Sequence, residues 1–189
     1  MAKKIVFLIV GIVVLILIGG GFFYWWQNQA DVRELNKNLP EGVKVVKSLI
    51  GNEYKVVNKI DDYEFKIPPE WKGIKEIEYI PEQEEENRIT RSIYLEGFEG
   101  MGRIASIDVY KIDQSDIKLE TWARELLDAF GLSGELTQEN IDGYNTLSTI
   151  EKEHLAGAYI VFLYNDAKIY VFTGRSEQSI RYIITNGKW

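Results

Sequence analysis

Between Ile5 and Trp26 the chain reads IVFLIVGIVVLILIGGGFFYWW, 22 residues without a charge. A helix rises about 1.5 Å per residue, so such a run reaches roughly 33 Å, close to the thickness of a bilayer's hydrocarbon core. A water-soluble helix of that length carries a polar face, and this run has none. The pattern predicts one N-terminal transmembrane helix, in contact with the membrane over residues 5–26. Lys3 and Lys4 precede it, and positive charge tends to stay on the cytoplasmic side. Tyr24, Trp25 and Trp26 end it, and their half-polar rings suit the headgroup level. Lys3, Lys4, Tyr24, Trp25 and Trp26 are therefore the expected membrane-interface residues. The expected topology is a single-pass cell-membrane protein with its N-terminus cytoplasmic and the remainder extracytoplasmic. The alternative is a cleaved signal peptide, with Lys3 and Lys4 as its charged region, Ile5 to Ile18 as its apolar region and Gly19 to Gly21 as a small-residue cleavage site. The aromatic run after those glycines extends the apolar length to a full span and favours the anchor.

The rest of the chain has the size of one domain with a short stalk. It is long enough to bury a core without staples. The absence of cysteine excludes disulfides, thiolate metal sites and acylation at a cysteine. Setting aside Lys3 and Lys4, 20 basic residues face 29 acidic ones, a balance of −9. An acidic exterior repels phosphate backbones, so nucleic acid is not an expected partner.

Residues 27–41 read as a polar stalk or an extension of the first helix, with Val32, Leu35 and Leu39 as a thin apolar stripe. Pro40-Glu41-Gly42 closes it, and the folded domain is expected over residues 42–189. Tyr54 to Ile60 and Tyr63 to Ile67 read as strands around Asp61-Asp62, the second with strict alternation. Pro68-Pro69 stops it. Ile74 to Ile80 reads as an irregular strand and Glu82 to Asn87 as a polar loop. Ile89 to Glu96 and Arg103 to Ile112 read as strands joined by the glycine-rich loop Gly97 to Gly102. Leu119, Trp122, Ala123, Leu126, Leu127 and Phe130 form one helical stripe, with Asp113, Ser115 and Asp116 as capping candidates and Gly131 as the stop. Glu135 to Ile141 and Tyr144 to Glu151 flank the turn Asp142-Gly143. Ala158 to Tyr164 is apolar on both faces, as a covered central strand is. A turn at Asn165-Asp166 leads to Lys168 to Thr173, and Glu177 to Thr185 reads as a terminal helix. Strands joined mostly by hairpins, with two helices, predict an α+β domain: a central antiparallel sheet flanked by helices.

Tyr63 to Trp71 (YEFKIPPEW) resembles the opening strand of PsbP-like domains, in which an aromatic strand runs into Pro and then Trp. The Trp122 helix, the turn Asp142-Gly143-Tyr144 and the two aromatic strands leading through Gly174 to a terminal helix extend the resemblance over Tyr54 to Trp189. It implies a central antiparallel sheet sandwiched by helices. Known members include extrinsic subunits of the photosynthetic oxygen-evolving complex, a nuclear-import cofactor and many membrane-anchored or exported bacterial proteins, mostly binding or assembly modules. No functional residue carries over position by position, and nothing marks a photosynthetic role.

The chemistry-bearing residue types form no catalytic pattern. His154 is the single histidine and lacks partners at readable spacing for a triad or metal cluster. The run Glu82, Glu84, Glu85 and Glu86 lacks the glycine of a calcium loop and reads as a solvated face. Asp108, Asp113 and Asp116 read as capping or solubility residues. Gly97 to Gly102 has no following helix, which a phosphate cradle requires. The aromatics Tyr159, Phe162, Tyr164, Tyr170 and Phe172 read as core. No catalytic, cofactor-binding or metal-ligating residue is therefore assigned, no cofactor is expected, and the chain reads as a non-catalytic module. Trp71, after a rigid Pro-Pro, is the candidate contact for a protein partner or envelope component. The competing expectation is a small-ligand binder or enzyme whose site needs a concave pocket with converging polar groups.

Overall fold

The computed structural model describes residues 14–16, 19–23, 25–27, 29–48, 53–71, 74–85, 88–97, 103–112, 117–152 and 157–189. The expected membrane span falls largely outside these residues, as do Lys3, Lys4 and Tyr24. The parts of it that are described, including Trp25 and Trp26, are helical and exposed. Among the described residues no helix is long and apolar enough to cross a membrane.

The fold is α+β with two antiparallel sheets. Its elements are α1 (Ala30–Leu35), β1 (Val43–Lys47), β2 (Tyr54–Asn58), β3 (Tyr63–Lys66), a 3₁₀ turn (Pro69–Trp71), β4 (Glu76–Glu85), β5 (Arg88–Glu96), β6 (Arg103–Lys111), α2 (Leu119–Ala129), β7 (Thr137–Ile141), β8 (Tyr144–Glu151), β9 (Ala158–Asn165), β10 (Lys168–Gly174), α3 (Glu177–Thr185) and β11 (Gly187–Lys188). One sheet has the order β1-β2-β3-β11, and the other β4-β5-β6-β10-β9-β8-β7. The alternation of each strand sends one set of side chains to each face. One face of the large sheet contributes Ile93, Ile107, Val161, Leu163 and Phe172 to the main core. The small sheet adds Val45, Val56 and Phe65, and α3 adds Ile180, Ile183 and Ile184. The opposite face carries Ile160, Phe162, Ile169 and Val171 against Trp122, Ala123, Leu126 and Leu127 of α2.

Three sequence expectations need correction. A second sheet joins the expected central one, because β1, β2 and β3 bury alternate residues against the same core instead of lengthening the large sheet. Glu82 to Glu85 is strand, not loop: β4 resumes pairing with β5 after a register shift between Ile80 and Gln83. Pro81 lies at that shift, and a proline in a sheet is confined to an edge strand or a bulge. The N-cap residue of α2 is Lys118, with no side-chain cap, and the capping candidates Asp113, Ser115 and Asp116 lie outside the described residues. The last hairpin turns at Asp166-Ala167, both at positive φ, while Asn165 pairs within β9.

Other features follow the sequence closely. Gly131, at φ 64°, ends α2, and the next residue returns its N–H from Leu132 to the Leu127 carbonyl at 2.8 Å. Buried residues run without a break from Ala158 to Leu163 in β9, the strand between β8 and β10. Ser176 caps α3 by accepting from the Ser179 N–H.

Candidate functional site

The expected stalk carries α1, and α1 is packed against the sheet. Val32 and Leu35 are buried. The Asn36 side chain accepts from the Val45 N–H at 2.7 Å and donates to its carbonyl at 2.9 Å, so it occupies the open edge of β1 as a strand would. Asp31 accepts from Lys47 at 3.0 Å and from the Tyr54 hydroxyl. Burial opposes the Asp31 charge, but these bonds outweigh it and hold the carboxyl below its ordinary range. On the other side Arg33 reaches back: its Nη1 donates to the Trp26 carbonyl at 2.7 Å and its guanidinium lies 4.1 Å from the ring centroid.

Trp71 ends the 3₁₀ turn, half-buried and packed on the main core. With Leu35, Tyr54, Ile67 and Ile74 it lines a cavity of about 260 Å³ beside α1. The position of Trp71 follows from Pro68 and Pro69, which end β3 and start the turn. Neither the cavity nor the part α1 plays in its wall was readable from the sequence.

A larger cleft lies on the other side of the molecule. The apolar stripe of α2 covers the outer face of β8, β9 and β10, and that face turns polar at β5 and β6. Where α2 ends, Leu126, Phe130, Phe162 and Val171 wall a cleft of about 400 Å³ whose far side holds Tyr94, Ser106 and Asp108. That volume falls within the roughly 300–1,000 Å³ of small-molecule sites, and the Trp71 cavity falls below it. Asp108 sits in mid-strand, level with Ser92 of β5 and Val171 of β10. Ser92 donates to one carboxylate oxygen at 2.5 Å and Ser106 to the other at 3.2 Å, which fixes the carboxylate's direction. Arg103 stacks 3.6 Å from the Tyr94 ring centroid and lies 3.5 Å from Glu78. In the sequence Asp108 reads as a capping or solubility residue. The alternation in RIASIDVYK does place Ser106, Asp108 and Tyr110 on one face, but only strand order shows Ser92 and α2 beside them.

A polar network occupies the β7 end of the large sheet. The Tyr159 hydroxyl donates to Glu139 at 2.7 Å, and Arg181 donates to both Glu139 and Glu177. Burial, then the bond to Glu139, pushes the Tyr159 hydroxyl up to about 12. A tyrosine held protonated in this way is no general base at neutral pH, and through Arg181 the network joins α3 to the sheet.

His154 and Asp113 to Asp116 lie outside the described residues. Glu82 is paired with Arg91 at 2.6 Å. Among the described residues no group of three or more His, Asp or Glu could hold a metal ion. No protein-family model matches the chain, and no curated protein matches it in sequence.

Proposed function

We propose that the chain is a single-pass membrane-anchored protein whose PsbP-like domain lies on the extracytoplasmic side and binds another protein or an envelope component without catalysing a reaction. The observation that carries this reading is the join between the apolar run and the domain. Arg33 clasps Trp26, and α1 is pinned to the domain through Asn36 and Asp31. A domain held this close to an anchor is presented to the membrane in a limited range of orientations. Trp71 and its cavity sit beside α1. A large antiparallel sheet with α2 on one face and α3 on the other is also what the PsbP-like resemblance implies.

The test is a reporter fused after Trp189, combined with crosslinked pull-down from the native membrane. The reading expects activity only on the outer side and a partner whose recovery falls with Trp71→Ala. Cytoplasmic reporter activity would overturn the orientation. Recovery of no partner above background would overturn the binding role, and a mature chain lacking its first ~20 residues would replace the anchor with a signal peptide.

A second reading, an extracytoplasmic small-ligand binder, is favoured by the α2 cleft, with its apolar walls and its oriented carboxylate.

A further inference from the structure

An edge strand offers unpaired N–H and C=O groups to any extended chain, and the two sheets of this fold have four edges. Three of them are blunted. On β1 the Asn36 side chain occupies the Val45 peptide groups, β11 is 2 residues long, and β4 is interrupted by Pro81 and a register shift. β7 is different. It pairs with β8 in register over all 5 of its residues, with no proline, no lysine and no bulge. Its hairpin closes on Asp142-Gly143, both at positive φ, which makes Ile141 and Tyr144 a hydrogen-bonded pair. Antiparallel bonding alternates, so Thr137 and Glu139 also bond to β8, while Gln138 and Asn140 turn their peptide groups outward. Both residues are exposed, and among the described residues no backbone bond reaches that edge.

The chemistry beside the edge selects its occupant. On the α3 side a cleft of about 350 Å³ opens next to β7, lined by Thr137, Glu139, Ile150, Tyr159 and Arg181 among others. A strand added to β7 sends every second side chain to that side. Glu135 and Glu177 add acid around Glu139 there; of the bases, Lys152 and Arg181, Arg181 is already bonded to Glu139 and Glu177. Full antiparallel overlap with a second copy would set Glu139 opposite its own copy, and like charges directly opposite destabilise a strand pair. A lysine or arginine at that place does the reverse. The chain's net charge of −7 also draws a basic segment from a distance.

We propose that β7 receives an extended basic segment of a partner protein as an eighth strand of the large sheet, bonded to the peptide groups of Gln138 and Asn140 and with a lysine or arginine opposite Glu139. The proposal rests on the protein-binding reading of the domain and adds a contact to the one expected at Trp71.

The experiment uses the full chain in nanodiscs and three labelled heptapeptides, read by fluorescence anisotropy. One alternates threonine with lysine, one alternates threonine with glutamate, and the third is the lysine peptide N-methylated at its threonines. The lysine peptide should bind saturably and the other two at least about 10-fold more weakly. Gln138→Pro removes an N–H that the β8 ladder does not use, so it should keep the fold and weaken the lysine peptide about 10-fold, whereas Gln138→Ala should leave binding unchanged. Circular dichroism checks the fold, and if Gln138→Pro unfolds the domain the N-methylated peptide makes the same test from the other strand. Equal binding of the N-methylated peptide, or no loss in a folded Gln138→Pro, would overturn strand addition. Equal binding of the glutamate peptide would overturn the basic partner, and no saturable binding would overturn the inference whole. Crosslinking in the native membrane distinguishes the remaining occupants. The chain has no cysteine, so Gln138→Cys carries its single thiol, and a crosslink there to a second copy would overturn the assignment to a partner. Recovery of a partner in equal yield by the unaltered chain and by Gln138→Pro would overturn β7 as its site and leave the protein-binding reading standing.

Discussion

Trp189 lies between the two sheets, buried among Tyr63, Phe65, Tyr170 and Phe172, with ring centroids 4.7 to 6.0 Å away. Its indole N–H donates to the Ile184 carbonyl at 3.1 Å, and its own carbonyl accepts from Asn165 at 2.7 Å. The ring lies so close to Gly187 that an added Cβ there would come within 2.5 Å of it. Trp189→Ala should therefore cost about 3–5 kcal/mol in urea unfolding, the range for truncating a buried large aromatic. Trp189→Phe should cost less, because it keeps a ring and loses the indole donor. Glu139 makes a different prediction. Burial opposes its charge, but hydrogen bonds from Ser148, Tyr159 and Arg181 favour it and win, so its carboxyl titrates below the ordinary 4.5. A depressed folded-state value means the stabilisation is complete above the unfolded value and is lost as pH falls through the folded one. Stability measured by urea titration should drop on acidification below about pH 4.5, and Glu139→Gln should flatten that limb while lowering stability at pH 7.

At the scale of elements, α1 shows how an open strand edge is closed by one side chain. β1 is an edge strand, and its Val45 is 2 % exposed, so an unpaired peptide group there would be desolvated without compensation. Asn36 supplies both a donor and an acceptor. Asn36→Ala should cost about 1–3 kcal/mol, and Asn36→Asp should cost more, because it sets a carboxylate oxygen against the Val45 carbonyl. Hydrogen exchange at the Val45 amide would read both variants directly. Elements with a strong local period were legible in the sequence: the stripe from Leu119 to Leu127 lies on α2, although Phe130 is exposed just past its end, and Ala158 to Leu163 is the covered part of β9, although Tyr164, expected in the core, is exposed. What could not be read depends on distant partners. Asn36 looks like a stalk residue until β1 lies beside it. Asp108 looks like a surface acid until β5 supplies Ser92 and α2 supplies an apolar wall. Trp71 was legible as a fixed aromatic, because Pro68 and Pro69 act locally, but its cavity needed α1. Strand order is a long-range property that alternation alone does not encode.

At the scale of the whole molecule, the question is what makes two sheets one body. Among the described residues they share a core but no strand pairing, so apart from apolar contact the join depends on a few polar ties. The main one lies at the β2–β3 turn, where Asp61 is 3 % exposed. One of its carboxylate oxygens accepts from Arg91 of β5 at 2.7 Å and the other from Asn58 at 2.9 Å, while its backbone carbonyl accepts from Lys168 of β10 at 2.6 Å. Two strands of the large sheet thus hold one turn of the small sheet. A buried pair of this kind adds little over an apolar replacement of both partners, but removing one partner leaves a buried charge without compensation. Arg91→Met should therefore cost about 3–5 kcal/mol, and adding Asp61→Asn should restore part of it. The loss should also be unevenly distributed. With Arg91 gone, β1, β2 and β3 keep the shared apolar core and the Lys168 bond to the Asp61 carbonyl, whereas β8, β9 and β10 keep a full ladder on both sides of β9. Native-state hydrogen exchange on Arg91→Met should show the β1–β3 amides losing protection first while the β9 amides stay slow. Equal loss across both sheets would mean that the shared core alone makes them a single cooperative unit and that Asp61 is only a well-satisfied turn residue.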